Sequence, residues 1–196
     1  MGNEIIRIGE VVESTTTSFV SQCYRLYDSP HLGTIVKTGG PYPALGLVYN
    51  ITTQGIDPSR KPVARGIDNL LEDDVYRINP QLEQLLRTDF FSITIGYVQD
   101  ENIMCKLPPK PPPIYSFVEP CDDNELLALS SDLSFIKVIV NSGLPASDEL
   151  IATIVNELAN HKDSREDFLI TAGKMLLTVF PGDFRKMEYI IGKVQS

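Results

Sequence analysis

Histidine and cysteine are scarce in this chain: its 196 residues include two of the first and three of the second. His31 stands in "DSPHLG" and His161 in "NHKDS", far apart in the chain. No H-E-x-x-H or related spacing therefore presents zinc ligands on one face, and no imidazole is placed as the base of a neighbouring nucleophile. His31 reads as a solvated turn residue, and His161 as a side chain favoured by the negative end of a helix. Cys23, Cys105 and Cys121 are an odd number at wide spacings and match neither a zinc site nor a disulfide framework. They read as buried or idle thiols.

Long apolar runs are missing too. None approaches the roughly 20 residues of a membrane helix. The opening Met1-Gly2-Asn3-Glu4 has neither the basic nor the apolar region of an export signal. Ile6 stands where a myristoylation signal needs Ser or Thr. A cytoplasmic protein is the expectation. Positive charge is also in deficit, with a net charge of −9. Residues 1–113 carry 10 basic and 13 acidic side chains, and residues 114–196 carry 7 and 13, so the C-terminal part supplies −6. Such a balance disfavours nucleic acid, whose phosphates need clustered Lys and Arg.

The phosphate-binding glycine pattern is equally wanting. A nucleoside triphosphate loop needs G-x-x-x-x-G-K-[ST]. In "KTGGP", Lys37 precedes the glycines and Pro41 follows them, and in "GKML" the residue after Lys174 is Met. Two acidic runs, Glu72-Asp73-Asp74 and Asp122-Asp123, lack the alternating ligands around a Gly that calcium requires and read as solvated carboxylates at helix starts. No residue is assigned a catalytic, cofactor-binding or metal-binding role. An enzyme is not expected.

What the sequence does hold is a change of period. "EIIRIGEVVE", "TSFVSQCYRL", "LGTIVKT", "ALGLVYNIT" and "DFFSITIGYVQ" read as short strands separated by Gly and Pro turns, as in a small closed sheet. Gly9 marks a candidate kink. Leu45, Leu47, Tyr49 and Ile51 alternate along one strand face, and Phe91, Ile93, Ile95 and Tyr97 along another. Between them the spacing predicts a helical insertion near 79–88. Asn79 would cap it with Pro80 at the first turn, Leu82, Leu85 and Leu86 would form its stripe, and Glu83 would pair with Arg87. The insertion is expected to cover one end of the barrel.

Five prolines between Pro108 and Pro113 cannot continue a helix or donate to a sheet, and they read as a stiff spacer. Beyond them Leu126, Leu129, Leu133, Ile136 and Val140 predict one helix stopped at Gly143. Ser147 would cap a second helix, whose Leu150, Ile151, Ile154, Val155 and Leu158 share a face, a Ser164/Asp167 capping box would open a third, and Asp183 would cap a short last one. The expected organisation is a β domain over 1–107, a proline-rich linker over 108–113 and a helical unit over 114–196. The fold class is α+β, a small closed β-barrel followed by helices.

The opening strand and its Ser/Thr break, with "GTIVKTGG", "ALGLVYNITTQG" and "PVARG", resemble the HAS barrel, the small barrel at the N-terminus of HerA-type ATPases and of ATP synthase α and β subunits. The resemblance covers roughly residues 5–115. It implies that the Ser/Thr break is the first barrel turn, and that the barrel assembles subunits and docks accessory proteins without doing chemistry. Where relatives continue into an ATPase core, this chain continues into helices, so no catalytic residue carries over.

Three functions stay open at this point. The first is a non-catalytic adaptor or assembly module that docks a protein partner or itself, in particular as an accessory to a HerA-type ATPase. The second is a small barrel stacking single-stranded nucleic acid on Tyr24, Tyr27, Tyr42 and Tyr49. The third, an enzyme built from scattered carboxylates, has no positive support in the residues.

Overall fold

The computed structural model describes residues 6–57, 59–68, 71 and 73–195. The N-terminal half folds as strands β1 (Gly9–Ser14), β2 (Ser18–Cys23), β3 (Ile35–Thr38), β4 (Ala44–Gly55) and β5 (Leu86–Gln99). Two short strands follow, β6 (Asn102–Met104) and β7 (Phe117–Pro120). All pairings are antiparallel, and β2 pairs both β1 and β5. The ring β1–β2–β5–β4–β3–β7 therefore closes on itself as a six-stranded barrel. Strand β6 extends it from the far end of β5, where Tyr97 pairs with Met104. Closure satisfies the strand edges that an open sheet would present to other chains.

The Ser/Thr break is the first hairpin. Thr15 Oγ1 accepts hydrogen bonds from the amides of Thr17 at 3.2 Å and Ser18 at 3.0 Å, a side-chain turn that replaces backbone pairing. The irregularity in β1 falls between Val11 and Glu13, not at Gly9. Gly9 is there for another reason: a Cβ on it would lie 2.1 Å from the carbonyl oxygen of Gln22 on the paired strand.

The boundary expected at 107 moves. Strand β7 comes after the prolines and is inserted between β1 and β3, so the barrel is completed only at Pro120. Residues 108–113 are no spacer between units: Pro108 and Pro112 are buried, and the segment lies on the barrel it helps to close. Proline stiffness still explains why it forms neither helix nor strand there.

The barrel buries apolar side chains on two surfaces. Inside are Val11, Phe19, Cys23, Val36, Ala44, Val48, Phe90 and Val118. The opposite face of β3, β4 and β5 sends Ile35, Leu45, Leu47, Ile93 and Ile95 into a second, larger core shared with the helices. The alternating stripes legible in the sequence are thus largely this outer face. The helical part folds back onto the barrel as a layer, and both faces of those strands are buried, as strands covered by helices should be.

The helices are α2 (Asp123–Leu129), α3 (Ile136–Asn141), α4 (Ser147–Asn160), α5 (Arg165–Val179) and α6 (Phe184–Gln195), preceded in the β4–β5 insertion by α1 (Asp73–Ile78). The single helix expected up to Gly143 breaks into α2, a 3-10 turn at Leu133–Phe135 and α3. Asp132 causes the break by turning its side chain onto the Ser134 amide at 2.9 Å. Gly143, at a φ of 67°, ends α3 as expected. Ser147 does not cap α4; the preceding Ala146 holds that place in a left-handed conformation with no side-chain bond. Ser164 and Asp183 do cap, accepting from the amides of Asp167 and Lys186. Seven buried side chains, from Leu150 to Ala159, make α4 the central helix of the layer.

Candidate interaction site

The residues singled out for chemistry are scattered. His31 is exposed in the loop before β3. His161 ends α4, 3.5 Å from Asp123 and from Glu157. Among the described residues, no group of three or more His, Cys, Asp or Glu is placed to hold a metal ion. The thiols are kept protonated: burial pushes Cys23 up to about 11 and Cys105 up to about 12, and burial first, then the Glu125 charge, raises Cys121 further. A protonated thiol is neither nucleophile nor ligand.

The carboxylates serve structure. Asp122 and Glu125 form a reciprocal capping box at the start of α2. Lys37 reaches from β3 to that helix, its ammonium 2.6 Å from Glu125 and 3.3 Å from Glu119 of β7. Burial alone would lower the Lys37 ammonium, but the two carboxylates outweigh it and the net direction is upward. The "KTGGP" lysine is thus a latch between barrel and helix. Of the first acidic run, Glu72 lies outside the described residues, Asp73 opens α1, and Asp74 pairs with Arg77 at 2.6 Å.

The insertion between β4 and β5 departs most from expectation. Its helical content is α1 and a 3-10 turn at Pro80–Leu85, and β5 already begins at Leu86. Asn79 makes no capping bond, and Arg87 pairs with the buried Asp89 at 3.0 Å instead of with Glu83. From Ile56 to Leu85 no described side chain is buried. Large apolar groups nevertheless crowd the segment: Ile56, Val63, Ile67, Leu71, Ile78 and Leu85 are all at least half exposed, Ile67 at 96%. With none of its described side chains buried, the described part of the insertion adds nothing to the core and is not the packed cover that its leucine spacing suggested.

A cavity of about 600 Å³ opens within this insertion, walled by Ile56, Val63, Val75, Tyr76 and Leu82. Arg60, Lys61 and Arg65 line the same space. Among the described residues, Arg60 alone of the three makes an ion pair, with Asp57 at 3.5 Å. The two hydrogen bonds from Ser59, one from its hydroxyl and one from its amide, hold the Asp57 carboxyl below the usual carboxylate range. Tyr76 ties the insertion to the barrel, its hydroxyl 2.5 Å from that of Tyr27, whose own amide donates to Thr88 at 2.9 Å.

A second cavity, also about 600 Å³, lies along α5 and α6, with Leu169, Ile170, Gly173, Ile191 and Val194 in its wall. Arg165 beside it is occupied, donating to Asn156, Asn160 and the Val194 carbonyl. The four tyrosines considered for base stacking are dispersed among separate partners. Tyr24 donates to Glu10, Tyr27 meets Tyr76, Tyr42 sits edge-on to Tyr97, and Tyr49 tilts against Phe91.

No protein-family model matches the chain, and no curated protein matches it. Among the described residues no helix is long and apolar enough to cross a membrane.

Proposed function

We propose that this protein is a non-catalytic adaptor or assembly module of the cytoplasm, which docks a protein partner or further copies of itself through its barrel. The observation that carries this reading is the insertion of residues 56–85, which exposes six large apolar side chains and buries none of those described. Three of the six, Ile56, Val63 and Leu85, line one cavity, and apolar surface gathered in that way marks an interaction site. The closed six-stranded barrel supports the resemblance to HAS barrels, whose members assemble and dock. On that basis the favoured partner is a HerA-type ATPase. A tagged, crosslinked pull-down from the native cell tests the reading. Recovery of one partner, or of the protein itself, at near-equal amounts is expected. Recovery of neither would sink it.

Single-strand binding is the second reading, favoured by one observation: Arg60, Lys61 and Arg65 share a cavity with Tyr76, itself in contact with Tyr27. Titration of labelled single strands decides it, since binding of that kind must weaken steeply as salt rises.

A further inference from the structure

We infer that the insertion cavity is a docking site for a short peptide segment that is both acidic and apolar, presented by the partner protein. This rests on the adaptor reading and specifies what that partner must offer.

Three features converge on that chemistry. The cavity walls are aliphatic and aromatic, from Ile56, Val63, Val75, Tyr76 and Leu82, so the occupant must bring apolar side chains. A volume of about 600 Å³ accepts several side chains but not a folded domain. The cations come next. In a chain of net charge −9, three of its 17 basic residues fall between positions 60 and 65, and all three line this one space against a single described carboxylate, Asp57. Among the described residues Lys61 and Arg65 have no acidic partner, and Arg60 has only the exposed Asp57. Unpaired cations over an apolar floor favour carboxylates in the occupant.

A continuous polyanion fits less well. Asp57, Asp68, Asp74 and Glu83 belong to the same insertion and would repel a strand carrying a phosphate at every step. An acidic and apolar peptide places its charges only where the cations are. The groove along α5 and α6 has no such surplus of cations: its one described arginine, the engaged Arg165, is matched by Glu166.

The experiment uses the full chain, immobilised, to select from a phage-displayed library of short random peptides. The triple variant R60E/K61E/R65E serves as the comparison. All three side chains are exposed, so the variant should fold with an unchanged thermal midpoint, which is checked first. Selected peptides should be enriched in Asp and Glu alternating with Leu, Ile or aromatic residues. Their affinity should fall at least about tenfold in the variant, because three exposed attractions turn into repulsions together. Val63→Ser, which removes exposed apolar surface without touching charge, should weaken them several-fold. Enrichment of neutral or basic peptides, no enrichment, or binding indifferent to charge reversal overturns the inference. So does single-stranded DNA that competes as well as the best peptide. The same variant in the pull-down separates the two levels. A partner retained undiminished by the variant removes this site but leaves the adaptor reading. No partner with the native chain removes the adaptor reading whatever the peptides do.

Discussion

Replacing Gly46 by alanine should destabilise the barrel from inside. The added methyl would stand 2.4 Å from Phe19 Cζ, 2.6 Å from Cε1 and 2.8 Å from Ser92 Cβ. Comfortable carbon contacts are about 3.5–4.0 Å, so the ring must retreat by roughly 1 Å. Phe19 is 1% exposed and packed among Val11, Val36 and Phe90, which leaves it nowhere to go. Overpacking of this kind costs about 1–3 kcal/mol or more, against about 0.8 kcal/mol recovered by burying one carbon. A net loss of about 1–2 kcal/mol follows, which for a chain of this length lowers the thermal midpoint by about 2–8 °C. Urea unfolding followed by far-UV circular dichroism gives the free energy directly. The mechanism is tested by the cycle with Phe19→Leu, which alone should cost about 1–2 kcal/mol through the cavity it opens. Combined, the methyl occupies space the ring vacated, and the double variant should be more stable than the sum of the two by at least about 1 kcal/mol. A neutral Gly46→Ala, or strictly additive effects, would refute an interior packed around that ring.

Other predictions concern charge, thiols and the exposed insertion. Lys37→Met strands Glu119 and Glu125 at the seam between barrel and α2, and should lower stability by about 1–2 kcal/mol in urea titrations at pH 7. Because the folded Lys37 is raised above its ordinary 10.5, its contribution is complete below pH 10.5 and fades as pH climbs through the raised value. The variant should lack that alkaline component. Cys23 works in the same direction: unfolding frees a thiol of pKa 9.0 that the fold holds near 11, so stability falls with rising pH between those values. Cys105 and Cys121 are raised as well, so Cys23→Ala should remove only its own share of that slope, and an unchanged slope in melts taken across that pH range would contradict the assignment. Ile67→Ser should leave the unfolding free energy within about 0.5 kcal/mol of native, as surface changes do, while weakening capture of the partner. A larger drop in stability would mean that Ile67 is packed.

Period and turn chemistry made much of the fold legible. Five of the six barrel strands follow from β-branched runs between Gly, Pro and Ser/Thr breaks, and the caps at Ser164 and Asp183 from short polar motifs, whereas the Asp122 capping box was legible only as an acidic helix start. Strand β7 was hidden because "SFVEP" is short and follows a proline run that looks like a boundary. Its place depends on long-range pairing with Gly9 and Val36, which no local pattern encodes. The stripe faces were legible, but not which side of the barrel they occupy: Leu45 and Ile93 face the helices, and Phe19 and Phe90 face inward. The leucines of the insertion misled for the same reason. Leu82 and Leu85 are spelled like a packed stripe, yet Leu82 is only half-buried and Leu85 is 58% exposed, which the surrounding chain determines and the spacing does not. The cavity with its three cations was discernible only as "RKPVAR", a run too short and too close to acids to stand out.

Docking through the insertion is tested most directly by crosslinking mass spectrometry on the pulled-down assembly, reading which lysines reach the partner. Intermolecular crosslinks should concentrate at Lys61, with few from Lys137 and Lys162 on the helical layer. Crosslinks concentrated on the helices, with Lys61 silent, would contradict it.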